Sequence, residues 1–105
     1  MREFLVVTSD EAMADADQVY DYICNQVFAP MTAALYYQGL IDAMRKLEKN
    51  ADSRAIDLRL SALYGRPTRR VNYKKYAIIY FIEGNMVIIH RVMPDRKSTR
   101  LNSSH

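Results

Sequence analysis

The chain has 105 residues, half of them hydrophobic, with 15 Lys and Arg against 12 Asp and Glu. This size fits a single domain whose core is large enough to fold alone and small enough to gain from a partner. The lone cysteine, Cys24, excludes an internal disulfide framework, and the lack of a Cys/His cluster excludes a zinc staple, so the expectation is a cytoplasmic protein with no metal and no cofactor.

The N-terminus carries neither the apolar core of a secretion signal nor a span of the ~20 residues that crosses a bilayer. Glu3 to Val7 reads as a short strand. Thr8 and Glu11 then form a capping-box pattern, with Asp10 and Glu11 suited to a helix N-terminus. Ala12, Ala16, Val19, Tyr20, Ile23 and Val27 recur at three- and four-residue spacing and predict a helix to about Phe28. Ala29-Pro30 breaks it, and Pro30 suits the first turn of a second helix running to about Lys49. That helix has Ala33, Tyr36, Tyr37, Leu40, Met44 and Leu47 on its inner stripe. So short a break makes the two helices an antiparallel hairpin.

Asn50 to Arg54 reads as a polar connection. From Ala55 to Leu63 the alternation of Ile56, Leu58 and Leu60 with polar residues reads as a strand or an extended segment lying on the helices. Tyr64-Gly65-Arg66-Pro67 is a turn. A short strand at Arg69 to Tyr73 follows. Tyr76 to Ile82 and Met86 to Val92, joined by Glu83-Gly84-Asn85, then form a β-hairpin. The predicted class is α+β, ordered β-α-α-β-β-β, with an antiparallel sheet and the helix hairpin packed on one face.

Asp95 to His105 resembles a sequencing-library adapter read in frame. The expected domain is therefore 1–94, truncated at its C-terminus, with 95–105 a non-native tail. Charge is polarised along what remains: residues 1–53 carry nine acids and four bases, and residues 54–94 carry eight bases and two acids. The basic half is the candidate surface for a polyanion or an acidic partner. Arg69, Arg70, Lys74 and Lys75 sit at the entrance to the hairpin, with Arg66 and Tyr73 beside them.

The residues from Phe4 to Met93 carry a family resemblance. The first helix, from Ala12 through Val19-Tyr20-Asp21-Tyr22-Ile23, and the pattern of Arg70, Tyr76, Ile79-Tyr80 and Ile88-Ile89-His90-Arg91-Val92 resemble the RelE/ParE superfamily of type II toxin-antitoxin toxins. The resemblance implies a growth-arresting toxin neutralised by a cognate antitoxin, and it spans two chemistries. RelE-like members cut mRNA on the ribosome without a metal, using bases to stabilise the phosphorane and a side chain to move the 2′-OH proton. ParE-like members block DNA gyrase with no catalytic group of their own.

Under the nuclease reading, Arg70 would hold the phosphate through its guanidinium fork, Lys74 and Lys75 would follow the RNA backbone, and His90 would exchange the proton. Another arginine position of that branch falls on Asn72, and its terminal Arg/Tyr cluster would lie beyond Pro94. His90 and Arg91 are adjacent on a strand and should face opposite sides, with Arg91 paired to Asp15 or Asp21. The long helix hairpin favours the ParE branch. The alternatives are the ribosome-dependent nuclease and an inactive remnant that only binds antitoxin.

Overall fold

The computed structural model describes residues 3–26 and 30–95. Val27, Phe28 and Ala29, where the first helix is expected to end, and residues 96–105 of the expected tail lie outside them. Strand β1 is Leu5–Thr8, helix α1 Asp10–Gln26, helix α2 Pro30–Arg45 and the short helix α3 Leu47–Asn50, which runs into a 3-10 turn at Ala51–Ser53. Helix α4 is Leu58–Tyr64, and β2, β3 and β4 are Arg69–Tyr73, Tyr76–Glu83 and Met86–Pro94.

Local chemistry explains most boundaries, and several differ from expectation. Thr8 is still paired to Ile89 in the sheet, so the capping role passes to Ser9, whose Oγ accepts from the Ala12 N–H at 3.0 Å. The second helix stops at Arg45 and resumes after Lys46. The segment read as extended holds α4 instead. Asp57 caps it by accepting from the Leu60 N–H at 3.0 Å, and Gly65, at φ 73°, closes it with its N–H on the Ser61 carbonyl. The alternating leucines mislead because they do not track burial: Leu58 is 81% exposed.

The sheet order is β1-β4-β3-β2, so the first strand lies beside the last. β2, β3 and β4 form the expected antiparallel meander, whereas β1 joins β4 in parallel, Leu5 against Met86 through Thr8 against Ile89. Helices α1 to α4 intervene between β1 and the meander, which gives the chain the length a parallel crossover needs. The α+β class with the helix hairpin on one face stands, and the sheet is mixed.

Ile78, Tyr80, Val87, Ile89 and Val92 meet Ala12, Ala16, Leu40, Met44 and Leu47 in the main core. Alanines at 12 and 16 let α1 lie close to the sheet. Val19, Ile23 and Ala33 bury a second cluster between α1 and α2. Among the described residues no helix is long and apolar enough to cross a membrane.

Candidate functional site

The expected contact residues lie at both ends of β2 rather than on one lip. Arg69 and Lys74 are five residue steps apart, roughly 16 Å at ~3.3 Å per residue. Arg69 donates from Nε to the Arg54 carbonyl at 2.8 Å and bridges Ile56 through its backbone, so it pins the segment before α4 to the sheet. Lys74 occupies the β2–β3 turn at φ 53°, with its ammonium 5.7 Å from the ring centres of Tyr36 and Tyr73. Lys75 is exposed beside it, and its carbonyl accepts from the Asp95 N–H at 2.8 Å.

Tyr73 is turned inward. Its hydroxyl donates to the Tyr36 carbonyl at 3.1 Å, its ring meets Tyr36 edge-on at 5.2 Å, and burial pushes its pKa above the usual tyrosine value, with help from Asp42. In this position it packs the end of β2 against α2.

Arg70 stands between two carboxylates, with Nε 3.8 Å from Asp57 and Nη1 3.8 Å from Asp95. A phosphate at this guanidinium would compete with both. Asp57 is also the α4 cap, so Arg70 helps to fix that helix.

His90 lies in a half-buried aromatic cluster. Its ring meets Tyr64 edge-on at 4.8 Å and Phe81 at 5.1 Å, and the Arg66 guanidinium lies 4.2 Å from the Phe81 ring centre while pairing with Glu83. Tyr64 completes the group against Phe81 at 6.0 Å, with its hydroxyl 4.0 Å from the Met93 sulfur. The structure thus brings His90 and Arg66 to one ring and leaves Arg70 with its own acids. Tyr64 and Phe81 are the members that strand and turn patterns do not single out; Tyr64 requires α4, which the sequence conceals.

Arg91 goes elsewhere. The ladder shifts register between Ile79 and Tyr80, which pair with Arg91 and Ile89, and His90 is the extra residue of this β-bulge. A bulge breaks strict alternation, so the separation of His90 from Arg91 comes from their partners. Arg91 donates from Nε and Nη2 to Asp15 at 2.7 and 3.1 Å. The hydrogen bonds and charge of Asp15 raise the Arg91 pKa above its ordinary value. Asp15 Oδ2 also accepts from the Val92 N–H at 2.9 Å, while Ser9 donates from its backbone to Ile89 and from Oγ to His90, at 2.9 Å each. Beyond the end of β1, α1 and its cap therefore occupy the hydrogen-bonding edge of β4. A cleft of about 380 Å³ opens there between Gln18 and Tyr22 on one side and Tyr76, Met93 and Pro94 on the other.

The profile of the family described as "ParE toxin of type II toxin-antitoxin system, parDE" matches residues 6–98. The chain belongs to the ParE toxin family. The fold agrees: a chain of the chromosomal ParDE TA system from P. aeruginosa superposes with a TM-score of 0.73 at 19% identity, covering 88% of this chain and 96% of that one. No curated protein gives a significant sequence match. As a ParE-like toxin of a type II system, the protein carries its helix hairpin on one face of the sheet and the Tyr64–Phe81–His90 cluster on β3, β4 and the end of α4. Among the described residues no group of His, Cys, Asp and Glu is arranged to hold a metal.

Proposed function

We propose that this ParE-family toxin arrests growth by binding DNA gyrase as a protein, without a catalytic group of its own, and that a cognate antitoxin neutralises it. The supporting observation is the dispersal of the groups a nuclease would need. Arg70 is held by Asp57 and Asp95, whereas His90 is packed against Tyr64 and Phe81, so the two are engaged by different partners. A general acid or base must reach the proton it moves, and a phosphate clamp must be open to phosphate.

The test is to induce the chain and assay two products: DNA trapped on gyrase, and codon-dependent cuts in mRNA on translating ribosomes. Trapped DNA without mRNA cuts is expected, with growth restored by the antitoxin frame. Arg70→Ala and His90→Ala should retain toxicity. Codon-dependent cutting that either substitution abolishes would return the protein to the ribosome-dependent nucleases.

A further inference from the structure

The sheet has three stretches of edge, and they are treated differently. Along β4 beyond Ile89, Asp15 takes the Val92 N–H, Ser9 takes the His90 carbonyl, and Pro94 has no N–H to offer. Along β2, the Ile56–Arg69 bridge covers the start, and Arg69, Arg70, Lys74 and Lys75 line the rest with charge. β1, at the other end of the sheet, has neither device: its sequence, Leu5-Val6-Val7-Thr8, is uncharged and contains no proline.

Its backbone has a defined direction. The Leu5 and Ser9 N–H groups bond inward to Asn85 and Ile89, at 2.8 and 2.9 Å, so the alternate residues Val6 and Thr8 aim their groups outward. Phe4, next in that series, already donates to the Glu48 carbonyl at 2.7 Å. On the face away from the main core, Leu5 is 64% and Val7 39% exposed, and their register partners Met86 and Ile88 extend the apolar strip inward. An apolar strand edge with outward N–H and C=O groups is a template for another strand.

We propose that β1 is a self-association edge, pairing antiparallel with β1 of a second copy of this chain about a two-fold axis at Val7. In this register Val6 and Thr8 of one copy exchange backbone hydrogen bonds with Thr8 and Val6 of the other, which uses the outward groups and leaves Phe4 with Glu48. Val7 faces Val7 on the exposed side. The two-fold axis sets Val7 against its own copy, and a charge at that position would meet its like, so an uncharged strand suits a second copy. A strongly acidic or basic partner would find no complement on Leu5 to Thr8.

The experiment is analytical ultracentrifugation of the purified full chain with its Val7→Lys and Val7→Glu variants, whose fold is verified by circular dichroism. The wild type should sediment as two chains at high concentration and dissociate on dilution. Each variant alone should lose the dimer, and a one-to-one mixture of the two should regain it, because only the mixed pair sets Lys against Glu. Amide exchange at Val6 and Thr8 in the wild type should slow as concentration rises, a readout that needs no substitution. A wild type that stays single overturns the proposal, as does a Val7→Lys chain that stays paired or a mixture that stays apart. Protection of Val6 and Thr8 only after antitoxin is added assigns the edge to that partner instead.

Discussion

Tyr80 shows how one side chain can bind the connections of this fold to its sheet. It is wholly buried in the central strand, and its hydroxyl donates to the Ala51 carbonyl at 2.7 Å, at the 3-10 turn that ends the helix layer. Burial pushes its pKa from 10.0 up to about 12, against the lowering effect of Arg69 and Arg54. The phenol therefore stays protonated in the folded chain at pH values where the unfolded chain has lost the proton. Its contribution is complete below the unfolded value of 10.0 and falls as pH rises toward about 12. Tyr80→Phe should cost about 1–3 kcal/mol near neutral pH, by leaving the Ala51 carbonyl unpaired, and should flatten this alkaline decline. Urea unfolding at a series of alkaline pH values checks both. At this scale the sequence is legible where both partners lie on regular elements, as with Arg91 and the α1 carboxylate Asp15. It is opaque at Arg70, because one partner caps a helix hidden by misleading alternation and the other, Asp95, falls in a segment read as foreign.

Between elements, α2 lies close against β2 at one point. A Cβ built on Gly39 would lie 2.1 Å from the Tyr73 hydroxyl and 2.9 Å from its ring. Glycine in mid-helix costs about 1 kcal/mol relative to alanine, so its presence here reflects the room Tyr73 requires. Gly39→Ala should therefore destabilise the protein by about 1–2 kcal/mol, the overpacking outweighing the propensity gain. In a Tyr73→Leu background the same substitution should become neutral or stabilising. Urea midpoints of the four chains close this double-mutant cycle. The long helices, the meander and its turns were all readable from periodicity and turn residues, because burial follows the pattern there. α4 was not readable, since among its residues none is buried and its ends are set by side-chain caps.

For the molecule as a whole, the α+β class was within reach of the sequence, but the placement of β1 was not. Local patterns describe which face of a strand is apolar and say nothing of which strand lies beside it. The same limit hid the second role of Asp15, which besides its expected pairing with Arg91 covers the β4 edge by accepting from the Val92 N–H, three charge-assisted hydrogen bonds in all. Its side chain is only 12% exposed, so Asp15→Ala should cost about 2–4 kcal/mol by leaving Arg91 and the Val92 N–H without their acceptor. It should also raise light scattering during refolding, because an edge is uncovered. Asp15→Asn keeps one acceptor and should fall between the two.

The parallel β1–β4 pair also sets a timetable for synthesis. Ser9 and His90, which meet at its end, are 81 positions apart in the chain. The first strand emerges from the ribosome with its sheet partner still to be made, and the α1–α2 hairpin is complete well before that partner. Contacts of such separation form late, after the loop between them has been ordered. A nascent chain therefore cannot hold the finished sheet, and the toxin acquires its fold only once translation has delivered the final strand.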